Sequence, residues 1–356
     1  MTWLEEMTPR HIQKLVPYAS ARREASDGEV WLNANENPYA SVAPQGLSPL
    51  NRYPDFQPVK LTRGFAQYVG LKQEQVLVTR GIDEGIDLLT RAFCKSGEDQ
   101  IIYTPPTYGM YKISAETNYI SAVAVPLKPD WSLDVQAILR KVPASKLIYL
   151  CSPNNPTGSL LDSHDIREIL QGTDNKALVV LDEAYVEFKP ESSLVCLLAE
   201  YPNLVILRTL SKAFGLAGLR CGFLLAAPDI IKVLQKVSAP YPIPVPVVDI
   251  ASSALSQNGI VSMRHDVETL TKDREKLRRS LKEFSFIAQI YASAANFILF
   301  QVDDALALMG FLQARGVVIR NQSSQRGLDS TLRVTVGTPE EIQKFYQCMQ
   351  DYEASL

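Results

Sequence analysis

The sequence predicts an α/β protein, with a large domain on a central, mostly parallel sheet and a smaller α+β domain after it. Three observations predict this. Short apolar runs alternate with helix-period segments through the first two thirds of the 356 residues. Those runs are apolar at consecutive positions, as strands covered by helices on both faces must be. A proline-rich stretch then separates them from a long amphipathic segment and a second set of strand-like runs.

In chain order, residues 1–40 are polar and turn-rich, and are expected to form an arm across both domains. Residues 41–245 form the expected large domain and 246–356 the small one. Val76-Leu77-Val78 reads as a first strand; Gly81 follows it, and Ile82, Ile86, Leu89 and Phe93 then recur at helical spacing. Ile101-Ile102-Tyr103, Leu147–Leu150, Leu178–Leu181 and Leu204–Leu207 supply further buried strands. In APYPIPVPV, the prolines Pro240, Pro242, Pro244 and Pro246 predict an extended crossing segment, because proline is not tolerated in a helix interior. Met263, Val267, Leu270, Leu277 and Leu281 mark a long helix. Phe297–Phe300, Val317–Ile319 and Leu332–Val336 are the strand-like runs of the small domain.

Composition excludes several classes. Apolar residues make up 46%, charged residues 21%, and the net charge is −3, so no clustered basic face is on offer to a nucleic acid. Cys94, Cys151, Cys196, Cys221 and Cys348 are scattered without a CxxC pair, which fits reduced thiols in the cytoplasm better than a disulfide framework. The N-terminus lacks the apolar run of a leader peptide, and no stretch reaches the ~20 apolar residues of a membrane span. His11, His164 and His265 have neither metal-ligand spacing nor a serine-triad context.

In open parallel sheets, ligands bind beyond the carboxyl ends of the strands, and chemically distinctive residues stand there. Lys212 in RTLSKAFGLAGLR follows one strand; a lysine there can form a Schiff base, although alone it reads more readily as a surface residue. Asp182 in LDEAY ends another, where a buried carboxylate calls for a cation, an N-cap role or a metal. Asn155 in SPNNPTG sits in a turn and has an amide to donate. Gly81, Ile82 and Asp83 open a helix and offer backbone amides to an anion. Neither a Walker loop nor a GxGxxG motif occurs.

The joint pattern says more than any one motif. Asn155 to Asp182 spans 27 positions and Asp182 to Lys212 spans 30, each at the end of its own strand. With Gly81 upstream and Arg220 downstream, the set resembles the fold-type I aminotransferases that use pyridoxal 5′-phosphate. LNANENP (32–38), NRYPD (51–55), PPTYGMY (105–111), LDEAYVEF (181–188), RTLSKAFGLAGLRCGF (208–223) and LRVTVGT (332–338) narrow it to a resemblance to the class II histidinol-phosphate aminotransferase family. One local departure is Cys151-Ser152, where the commoner family form has an Asn-Pro pair.

That resemblance implies roles. Lys212 would hold the cofactor and move the proton; Asp182 would pair with the pyridinium nitrogen; Asn155 and Tyr185 would bond the 3′-oxygen; Tyr108 would stack on the ring. The cofactor phosphate would lie on the amides of Gly81, Ile82 and Asp83, with Thr209, Ser211 and Arg220 as further donors. Tyr53 would reach the phosphate of the neighbouring subunit in a homodimer. Arg333 would grip the substrate anion, assisted by Arg320, Tyr18 and Asn35. The implied reaction moves the amino group of L-histidinol phosphate to 2-oxoglutarate. An aromatic-amino-acid aminotransferase, a phosphothreonine decarboxylase and a non-enzymatic regulator on the same scaffold are the other readings.

Overall fold

The computed structural model describes residues 2–15 and 50–356. Tyr18, Asn35, the LNANENP motif and most of the expected arm lie outside the described residues.

Seven strands form the large sheet: β1 (Val76–Thr79), β2 (Gln100–Tyr103), β3 (Ser121–Ala124), β4 (Ser145–Cys151), β5 (Leu178–Asp182), β6 (Leu204–Thr209) and β7 (Gly222–Ala226). Their order is β1-β7-β6-β5-β4-β2-β3, and only β7 runs antiparallel to its neighbours. The consecutive apolar residues serve two cores. Val78, Ile148, Val179, Ile206 and Phe223 point to one face, where Phe223 stacks on Phe65 of the helix Val59–Val69 at 3.6 Å. Leu77, Tyr149, Val180, Val205 and Leu224 point to the other, against the helix Ile82–Phe93. A strand buried on both faces has no polar positions to alternate with.

Register decides what meets at the carboxyl edge. Thr79 and Thr209 both pair with Gly222, and Cys151 and Asp182 are level in the adjoining pair. Gly222 has no side chain because the turn entering the Ile82 helix crosses it. A Cβ there would stand 2.6 Å from the Gly81 carbonyl carbon and 2.7 Å from the Ile82 nitrogen.

The second sheet is antiparallel: β8 (Ile287–Ile290), β9 (Phe297–Val302), β10 (Arg320–Asn321) and β11 (Thr331–Thr335), in the order β10-β11-β9-β8. The helices Ala305–Ala314 and Pro339–Glu353 and the end of the long helix Gln257–Leu281 close its core. That long helix spans the molecule: Met263 packs with Tyr185, Ala213 and Phe297, whereas Leu277 and Leu281 enter the small-domain core.

Two expectations need correction. The extended crossing stops at Pro244, and Pro246 lies in the first turn of a helix, Val245–Ala254. A first-turn proline costs that helix no hydrogen bond, since those amides have no intrahelical partner. Ala251 and Leu255 then enter the large-domain core, so we propose that the small domain begins within the following long helix rather than at residue 246. Val317–Ile319 form no strand: Val318 is 82% exposed, and only Arg320 and Asn321 pair with β11.

Candidate active site

A cleft of about 110 Å³ opens above the carboxyl ends of β4, β5 and β6. Ile82, Asp83, Tyr108, Asn155, Asp182, Tyr185, Thr209, Ser211, Lys212 and Arg220 line it, so ten of the expected residues converge from six separate segments.

Asp182 is 1% exposed. Its Oδ2 accepts from the Tyr111 hydroxyl at 2.6 Å and its Oδ1 from the Ala184 amide at 3.0 Å. Burial raises its pKa to about 6, although both hydrogen bonds act to lower it. It has no contact ion pair among the described residues, and Lys212 across the cleft is the cation that acts on it, as a minor influence against burial. The N-cap-like turn to Ala184 is real but uses one oxygen only. No group of metal-ligating side chains occurs among the described residues.

Lys212 follows β6 in a turn closed by the Gly215 amide on its carbonyl at 3.0 Å. Its ammonium stands 5.4 Å from the centroid of the Tyr185 ring. No hydrogen bond or ion pair holds it among the described residues. Burial lowers its pKa, and Arg333 and Arg220 add to this against the opposing charges of Asp182 and Asp83. Tyr185 is edge-on to Phe297 and 6% exposed, and burial pushes its phenol up.

At the other end, the Arg220 backbone is left-handed (φ 53) and its Nη2 donates to Asp83 Oδ2 at 3.1 Å. A Cβ on Gly81 (φ 79) would stand 2.7 Å from that same Nη2. The Gly81 amide donates to the Thr79 carbonyl at 2.9 Å, so this glycine makes room for Arg220, and the amides left for an anion are those of Ile82 and Asp83. Thr209 and Ser211 hydroxyls lie 2.9 Å apart beside them. Tyr108 donates its hydroxyl to Asp83 Oδ1 at 2.9 Å and is edge-on to Tyr111.

Arg333, on β11, reaches from the small domain to the rim of the cleft at Asn155; it does not line the cleft and borders a second cavity with Arg320. Its Nη1 donates to Asn155 Oδ1, its Nε is buried without a partner among the described residues, and its guanidinium carbon stands 5.1 Å from the Phe297 ring centroid. Burial lowers its pKa, and its cross-strand neighbour Arg320 adds to this. Arg320 itself is exposed and outside the cleft. Tyr53 also lies outside it, half exposed and stacked on Tyr241 at 4.4 Å.

Sequence reasoning missed several residues. Tyr111 reads as core from its aromatic ring, and it is fully buried in the first turn of the helix Met110–Thr117; its place in the PPTYGMY motif, three positions after Tyr108, was the available signal. Asn154 braces the Asn155 turn, bonding Thr107, Pro106 and Thr157 at 2.8–2.9 Å. Arg208 forms a buried cluster with Glu183 at 3.0 Å and Glu187 at 2.6 Å, tying the ends of β5 and β6 together. Cys151, at the family departure, is a neutral thiol on the cleft wall whose pKa burial pushes up.

This sheet order and this cleft define a class of protein. The chain belongs to the family aminotransferase class I and II, whose model matches residues 27–348. It is an aminotransferase. It is 50% identical over 347 residues to the histidinol-phosphate aminotransferase of a strain of Escherichia coli, with 98% of each chain covered. Among solved structures, the histidinol-phosphate aminotransferase from Clostridium acetobutylicum is 25% identical with a TM-score of 0.79, covering 86% of this chain and 92% of that one. The enzyme of that name from Sinorhizobium meliloti, solved in complex with pyridoxal-5′-phosphate, shares the fold at 24% identity and a TM-score of 0.79, covering 85% and 83%.

Proposed function

We propose that the protein transfers the amino group of L-histidinol phosphate to 2-oxoglutarate, giving imidazole-acetol phosphate and L-glutamate, as a step of histidine biosynthesis. Pyridoxal 5′-phosphate is the cofactor. The cleft fits it in three respects: Asp182 is a buried carboxyl with no contact ion pair among the described residues, Ile82 and Asp83 present helix-start amides beside Arg220, and Lys212 is an amine with no hydrogen bond or ion pair among the described residues.

When bound, the cofactor supplies a carbonyl carbon for the amino group and a cationic ring that withdraws electrons from the substrate carbon. Asp182 holds the ring nitrogen protonated, and Tyr111 and Ala184 fix the carboxylate in place. Lys212 Nζ would be the attachment atom and, with the substrate amine in place, would be the base that moves the proton of substrate Cα within one site. Its lowered pKa keeps a larger fraction neutral and able to do so. The Asn155 oxygen is turned to Arg333, which leaves its Nδ2 and the Tyr185 hydroxyl to donate to the 3′-oxygen. Tyr108 covers the ring, while Thr209, Ser211 and Arg220 complete the phosphate seat.

Arg333 is the observation that carries the substrate reading. A half-buried guanidinium with an orphaned Nε calls for a second anion beyond the cofactor's own. A guanidinium fork accepts a phosphate ester or a carboxylate equally well, so the two half-reactions can share it. Arg320, Tyr18 and Asn35 are its proposed helpers. We place the enzyme in the cytoplasm, since its five cysteines are free, and assemble it as a homodimer in which Tyr53 reaches the partner's phosphate seat. No helix among the described residues is long and apolar enough to cross a membrane.

A substrate panel tests the proposal. kcat/KM for histidinol phosphate is expected to exceed that for phenylalanine or tyrosine by about 100-fold, a discrimination that rests on the side chain, since Arg333 would pair the phosphate or the carboxylate alike. Equal values for the aromatic amino acids contradict it.

A further inference from the structure

A backbone hydrogen bond joins the small domain to the turn after Asn155. The Ala294 amide donates to the Gly158 carbonyl at 2.8 Å. Gly158 has φ 74, and a Cβ on it would stand 2.4 Å from Ser293 Oγ, 2.7 Å from its Cβ and 2.9 Å from its Cα. Residues 291–296 thus form a strap that touches the large domain where only glycine fits. The strap is held from behind at two points. Arg274 of the long helix donates to the Ala295 carbonyl at 2.7 Å, and the Val336 amide, just past β11, donates to the Asn296 carbonyl at 2.9 Å.

A second contact seats the same strap. Trp131 of the large domain lies edge-on to Tyr291, ring centroids 5.8 Å apart. Trp131 holds φ 65, a left-handed backbone that bulky side chains rarely adopt and that persists only where its surroundings impose it.

We propose that Gly158 is a positioning residue for recognition of the substrate anion. The strap, seated on Gly158 and braced by Trp131, sets where Arg333 stands relative to Asn155. Gly158 is three residues from Asn155, and Phe297 at the strap's end pairs with Thr335, two residues from Arg333. Any displacement at the seat therefore reaches the Asn155–Arg333 hydrogen bond with almost no chain in between. Of the proposed cofactor ligands only Asn155 shares this turn; Asp182, Lys212 and Arg220, which would hold the ring nitrogen, the attachment point and the phosphate, are carried by the large domain's own strand ends and stay put. Gly158 itself touches neither cofactor nor substrate.

This inference rests on the function proposed above, and its test separates the two. The readouts are KM for histidinol phosphate and for glutamate, and the Kd for pyridoxal 5′-phosphate by absorbance titration. Gly158→Ala is expected to raise both KM values about 10-fold or more, with the cofactor Kd within about two-fold, since ~1 Å of misplacement at a positioning contact costs up to ~100-fold. Adding Ser293→Gly removes two of the three clashing atoms and should recover part of the loss. Trp131→Asn, whose side chain tolerates the left-handed backbone and so folds readily, should raise both KM values by about three-fold. KM values unchanged in Gly158→Ala and Trp131→Asn overturn the inference, and so does a cofactor Kd that rises in step with KM. A wild-type enzyme inactive on histidinol phosphate counts against the proposed function instead, and the same comparison is then read on the amino acid it does accept.

Discussion

Asp182 carries the most consequential charge at the scale of single residues. Burial places its pKa near 6, against 3.8 for the ordinary group. Below pH 4 both folded and unfolded chains hold the proton. Between about 4 and 6 only the folded chain does, so stability falls as pH rises through that window, by roughly 3 kcal/mol in all. The cofactor-free protein is therefore expected to lose melting temperature from pH 4 to 6 through this group. Asp182→Asn should remove that component, and saturating pyridoxal 5′-phosphate should shrink it by supplying the missing cation. Thermal scans across pH on both proteins, with and without cofactor, check it; a window indifferent to the substitution contradicts it. Lys212→Ala is expected to bind cofactor yet lose about 10⁴-fold or more in kcat, in a steady-state assay, because attachment and proton transfer go together. Lys212, Asp182 and Asn155 were legible because apolar runs mark strand ends and these residues follow directly. Tyr111 and the Arg208 cluster were not, since their partners lie 71, 25 and 21 positions away in the chain.

The start of the Ile82–Phe93 helix shows how elements, rather than single groups, build the anion seat. β7 runs against its neighbours, and this brings Arg220, just before it, to the same edge as the carboxyl ends of β1 and β6. Arg220→Ala is expected to weaken pyridoxal 5′-phosphate binding by about 10- to 100-fold, the worth of a charged hydrogen bond, while leaving the Kd for pyridoxal, which lacks the phosphate, within about two-fold. Equal losses for both ligands, by absorbance titration, contradict that assignment. Gly81→Ala should act in the same direction, because its Cβ would displace the guanidinium. The strand–helix alternation was legible from periodicity, since doubly covered strands have no polar face. β3 was not, because Ser121–Ala124 is an edge strand of small, partly exposed residues. Pro246 misled because the first turn of a helix accepts proline as readily as a loop does.

At the scale of the whole molecule, Tyr53 lies on an exposed face beside Tyr241, outside its own chain's cleft. In the proposed homodimer it completes the partner's site. A Tyr53→Ala chain and a Lys212→Ala chain, each nearly inactive, are then expected to complement when mixed and reassembled. Half of the dimers are heterodimers with one intact site, giving about a quarter of wild-type activity. Additive residual rates with no recovery contradict a shared site. The proline-rich break was the sequence signal for two units, and we propose a later boundary than residue 246, because the helix after the prolines places Ala251 and Leu255 in the first core.

The central claim is that Lys212 holds pyridoxal 5′-phosphate in a cleft that accepts the amine of histidinol phosphate. Borohydride reduction of the cofactor-loaded protein, followed by peptide mapping, tests it most directly when run with and without excess histidinol phosphate. The account predicts a pyridoxyl group on the peptide containing Lys212, and its loss when substrate is added first. Label on another lysine, or label at Lys212 that histidinol phosphate leaves unchanged, contradicts it.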